Sequence, residues 1–145
     1  MKVKKEVENG FFIFISIAIF FLLMEFLGLS HLYYLRLFNI VFIVYAIKDT
    51  IEYRISHGKM KFVPNATAAL TTSIIGVFLS VVGLLIYSHM KGGDAYVQSL
   101  SQTFLFGGNP SINVYCLTLF FEGVASSLMV AMILMLYYND KFVVD

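Results

Sequence analysis

Residues 112–138 read INVYCLTLFFEGVASSLMVAMILMLYY, an apolar run with a single charge, Glu122. About 20 apolar residues suffice to cross the hydrocarbon core of a bilayer as a helix. In lipid, only a helix or a closed barrel satisfies every backbone group, and an unbroken run of this length is helical. The stretch therefore predicts a membrane helix with one carboxylate inside it. Working outward, hydropathy predicts three more spans, at about 10–29, 32–56 and 66–89. The expected fold is all-α: one integral membrane domain over 1–145, built as a four-transmembrane-helix bundle.

Composition agrees. The chain is 59% hydrophobic and only 13% charged, whereas soluble domains carry about 25% charged residues. A net charge of +1 gives no reason to expect a nucleic-acid or acidic partner. The single Cys116 excludes an intrachain disulfide. The first thirty residues have a basic start and then an apolar run containing Glu25. That run exceeds the about 7–15 residues of a secretory h-region and ends without an Ala-x-Ala site, so it reads as a retained helix.

The second span is the least regular. Only eleven uncharged residues lie between Arg36 and Lys48, so the helix is expected to continue through KDTIEYRIS as an amphipathic extension into the aqueous phase. Its mixed charges, with Lys48 and Glu52 four apart, read as a solvated helix end. Gly58 should stop it. Pro64 suits the first turn of the third helix, where its missing N–H costs nothing. Lys2, Lys4, Lys5, Lys48, Arg54, Lys59, Lys61 and Lys141 fall on one side of a four-pass chain, and Arg36 and Lys91 on the other. Loop Lys and Arg favour the cytoplasm, so both termini are expected there. The long outer segment holds Val97, Leu100 and Phe104 at helical spacing after Asp94, which predicts a short interfacial helix.

Candidate functional residues are few. Counted from the span midpoints, Glu122 lies about 5 Å and Glu25 about 8 Å toward the outside. The two carboxylates are thus expected to meet, with Arg36 and Asn39 within reach, as an intramembrane polar cluster. Such groups face protein interior and find partners, because an ionised residue near the bilayer centre costs about 2.5–3.5 kcal/mol. Without Arg36 the pair would share a proton or hold a cation; with it, the cluster is a salt bridge that sets helix register. Thr72, Gly76, Ser80 and Gly83 form a small-residue face on span three, and Gly123, Ser126, Ser127 and Ala131 form another on span four. Small residues at these spacings let helices approach closely. His31, His57 and His89 stand singly, with no HExxH or paired-cysteine pattern, so no metal or other cofactor is expected.

Ile47-Lys48 with Tyr53-Arg54, Asn109-Pro110, and Thr118 ahead of Glu122 together resemble the domain of unknown function four-one-nine-nine. The resemblance implies a small four-helix inner-membrane protein of Bacteroidetes-type bacteria and implies no activity. In that family a proline commonly follows the glutamate, and here none does. The residues predict a non-catalytic accessory or scaffold subunit that contacts lipid and packs against other membrane subunits or itself. The alternative is a transporter or channel component for a proton, cation or small solute, using Glu25 and Glu122.

Overall fold

The computed structural model describes residues 4–29, 37–100 and 111–143. The helices among the described residues are α1 Lys4–Phe26, α2 Asn39–Ser56, α3 Phe62–Met90, α4 Asp94–Leu100 and α5 Ile112–Tyr137, then a 3-10 turn over Asn139–Lys141. Among the described residues there is no strand, only an isolated bridge between Lys61 and Val143. Three helices among the described residues are long and apolar enough to cross a membrane: Lys5–Phe26, Phe62–Met90 and Ile112–Tyr137. α2 is not among them, because its 18 residues include Lys48, Asp49, Glu52 and Arg54.

The helix ends follow local chemistry. Gly58 takes φ 76° and Lys59 N–H donates to Arg54 O, so α2 ends on a left-handed glycine as its sequence predicts. Asp94 Oδ1 accepts from Ile112 N–H at 2.9 Å and ties α4 to the start of α5. Ser111 caps α5, accepting from Val114 N–H. Pro64 lies in the first turn of α3. The spans expected at 10–29 and 66–89 begin earlier, at Lys4 and Phe62, since their polar ends also pack in helical form. The start of the second span, placed at 32, falls outside the described residues.

α3 is the central element, in contact with α1, α2, α4 and α5. Small residues permit this. A side chain at Gly76 would collide with Ile13, and one at Gly123 would collide with Val77. Thr72 and Ser127 are fully buried, and Gly83 faces Phe14. Both predicted small faces are therefore used within the chain. α1 and α3 run parallel, since Ile13 meets Gly76 and Phe21 stacks edge-on with Tyr87. α2 runs against α1, pairing Asn9 with Thr50 and Phe20 with Phe38. The half of the bundle nearer the start of α1 is filled by Ile13, Ile43, Ile47, Ala69, Val77 and Val130.

One end of the bundle is stitched by polar side chains. Arg54 Nη1 donates to Glu6 Oε1 at 3.1 Å and its Nε to Asn65 Oδ1 at 3.1 Å. Asn65 Nδ2 in turn donates to Lys59 O and Lys61 O, holding the α2–α3 turn. Asn9 donates to Thr50 Oγ1 at 2.8 Å and to Asp49 Oδ2, which also pairs with Lys5 at 2.9 Å. Thr50 Oγ1 lies 3.1 Å from Thr72 Oγ1. Tyr138 Oη donates to Glu52 Oε1 at 2.6 Å, bringing the end of α5 onto α2. The solvated helix end expected from KDTIEYRIS is thus corrected in part. Lys48 and Glu52 do form an exposed i, i+4 pair, but Asp49 pairs with Lys5 and Asn9 of α1 and Arg54 turns inward onto Glu6, because α1 starts early enough to present them.

Candidate site: an intramembrane cavity with one carboxylate

Beyond the filled half, α1, α2, α3 and α5 separate around a cavity of about 300 Å³. Along α3 its lining runs from Val77 to Tyr87, about 15 Å of helix rise. The walls are mostly apolar: Phe14 and Phe21 from α1, Ile40 from α2, Leu84 from α3 and Leu119 from α5. Polar groups enter at a few points. Glu122, Ser126 and Ser80 lie toward the end nearer the start of α1, level with the Gly123–Val77 contact, and Asn39 enters from the first turn of α2.

The hydrogen bonds of these groups are uneven. Ser80 Oγ donates to Gly76 O at 2.7 Å, a back-bond that uses its proton and leaves lone pairs free. Glu122 is exposed and makes no hydrogen bond or ion pair among the described residues. Asn39 Oδ1 is buried and has no donor there either. The cavity therefore presents acceptors that nothing else in the described chain satisfies. An unsatisfied buried acceptor costs about 1–3 kcal/mol, more when charged.

The predicted cluster of Glu25, Arg36, Asn39 and Glu122 is only partly assembled. Asn39 and Glu122 share the cavity, Arg36 falls outside the described residues, and Glu25 is elsewhere. Glu25 Oε2 accepts from Tyr96 Oη of α4 at 2.8 Å. Tyr96 also packs edge-on against Tyr87. Burial, and next the Glu25 carboxylate, push the Tyr96 hydroxyl well above its ordinary range, so it stays a donor. Glu25 lies a turn beyond Phe21, which packs on Tyr87, whereas Glu122 is level with Val77. The two carboxylates are therefore offset by more than about 15 Å along the bundle. Midpoint counting misplaced them because α1 begins near Lys4 and is shifted along the bundle axis relative to α5.

The network of Glu6, Asn9, Arg54 and Asn65 near the start of α1 was not anticipated as a unit. Its one signal was an Asn and a Glu within the first turns of an apolar helix, opposite an Arg in the next. His57 stays exposed, its ring 4.2 Å from that of Tyr53. Among the described residues no group of three His, Cys, Asp or Glu gathers as metal ligands would. Compared with known family models, curated proteins and solved structures, the chain matches none.

Proposed function

We propose that this chain is a non-catalytic, four-pass accessory subunit of a bacterial cytoplasmic membrane, with both termini inside and α4 on the outer surface. The parallel course of α1 and α3 supports four passes, since the chain must return between them and α2 is the segment that lies antiparallel. The distribution of Lys and Arg supports the orientation. The resemblance to the domain of unknown function four-one-nine-nine supports the bacterial inner membrane and leaves the activity open.

One observation carries the accessory role: Glu122 stands exposed in a membrane-embedded helix, at an open cavity, with no partner among the described residues. A site of that kind is completed by something from outside the chain. The packed Ile13, Ile43 and Val77 beneath the cavity favour binding there over passage through the bundle. Affinity purification from native membranes tests the role. A stoichiometric membrane-protein partner, retained in mild detergent, is the expected result. A strictly monomeric chain that recovers no partner removes it.

A further inference from the structure

We propose that the cavity binds a single-chain, lipid-soluble molecule whose head group donates hydrogen bonds, a primary amine or a hydroxyl, to Glu122. The inference rests on the reading that Glu122 is completed from outside the chain, and it names the occupant as a small molecule rather than a partner's helix.

Size sets the body of the ligand. A cavity of about 300 Å³ is at the small end of the about 300–1,000 Å³ typical of small-molecule sites. It cannot admit a helix, which with its side chains is about 10–12 Å across. Its 15 Å height equals about half of a 30 Å hydrocarbon core. That suits one chain in one leaflet and excludes a two-tailed lipid. Phe14, Phe21, Leu84 and Leu119 supply the apolar wall for it.

Charge and proton inventory set the head. Glu122 offers acceptor oxygens, Ser80 has spent its proton on Gly76 O, and Asn39 Oδ1 is unmatched elsewhere in the lining, where Ser126 Oγ and Asn39 Nδ2 add donors. At Glu122 itself an ester-headed chain would supply no donor, and a carboxylate head would set acceptor against acceptor. An ammonium supplies N–H donors and a compensating charge where the surroundings are apolar, and a hydroxyl supplies a donor alone. Glu122 is exposed at the cavity, so a head group can reach its carboxyl.

The test uses the full chain in nanodiscs of phosphatidylcholine, whose head group has no N–H or O–H donor. Three probes share one alkyl tail bearing a photoreactive diazirine and differ in the head: primary amine, alcohol or methyl ester. After irradiation, labelled residues are mapped by mass spectrometry. The expected result is labelling at Phe14, Leu84 or Leu119, with the amine or alcohol favoured about tenfold over the ester, the discrimination one hydrogen bond to a charged acceptor provides. Ala18→Phe or Ser126→Leu, each filling a different wall, should remove the labelling, and Glu122→Gln should abolish the amine's advantage. Equal labelling by all three heads overturns the proposal, as does labelling spread over the outward faces of α1 and α5. The wild-type head-group comparison decides this even if a filled variant misfolds. A partner helix cross-linked at Glu122, with the cavity unlabelled, overturns the ligand and leaves the accessory role standing. Selective labelling without a co-purifying partner does the reverse.

Discussion

The pairing of Arg54 with Glu6 shows what single residues decide in this bundle. The two side chains are 12% and 4% exposed, and Glu6 Oε2 is buried without a donor among the described residues. A buried ion pair gains little over apolar packing, but removing one partner strands the other's charge. Arg54→Met should therefore destabilise the protein by about 3–5 kcal/mol, and it also frees Asn65 from its Nε bond. Adding Glu6→Leu should recover most of that loss; chemical denaturation in detergent micelles of the single and double variants measures both. If Arg54→Met alone is neutral, the pair does not hold the helices. These residues escaped the sequence reading for a physical reason. Charges at the ends of apolar runs are usually solvated, and only the register of α1 against α2 turns Glu6 and Arg54 toward one another. Glu122 was legible at once, since its neighbours leave it no solvated alternative. Its separation from Glu25 was not, because that depends on how far α1 slides along α3.

At the scale of elements, α4 is tied to α1 and α5. Tyr96 donates to Glu25, Asp94 accepts from Ile112 N–H, and Val97 is fully buried against Ile112, Tyr115 and Cys116. A seven-residue helix cannot persist in water by propensity alone. Its order thus derives from these contacts. Tyr96→Phe removes the bond to Glu25 and keeps the ring on Tyr87. Faster amide hydrogen exchange over residues 95–100 is expected, by about tenfold for a loss of about 1.4 kcal/mol at the strong end for one hydrogen bond, with α3 unchanged. Unaltered exchange would mean that the remaining contacts, Val97 and the Asp94–Ile112 bond among them, anchor α4 without the Tyr96 latch. The sequence made the existence of this helix readable through its apolar spacing. The latch was not readable, because Tyr96 and Glu25 are 71 positions apart. Gly58 and Pro64 were readable because their conformational limits are local, independent of any tertiary partner.

The whole molecule is asymmetric along its axis. At one end Lys5–Asp49, Glu6–Arg54–Asn65 and Tyr138–Glu52 tie α1, α2, α3 and the end of α5 into one layer; toward the other, the same helices part around the cavity. Tight polar closure at one face and an open apolar slot at the other fit the proposed binding of a ligand from one leaflet. The proposed orientation has a geometric requirement. Because α1 and α3 ascend together and α5 descends beside them, the α2–α3 turn and the C-terminal tail must share a face, joined by the bond from Val143 N–H to Met60 O. Lys59 and Lys141 are exposed on that face, and Ala95 is exposed on the other. Cys116 is buried and serves as a silent background. In sealed cells, a membrane-impermeant maleimide should label Ala95→Cys and leave Lys59→Cys and Lys141→Cys unlabelled until the membrane is permeabilised. Labelling of Lys59→Cys from outside, with Ala95→Cys protected, would invert the molecule. Labelling of Lys59→Cys and Lys141→Cys on opposite sides would break the parity on which the four-pass bundle depends.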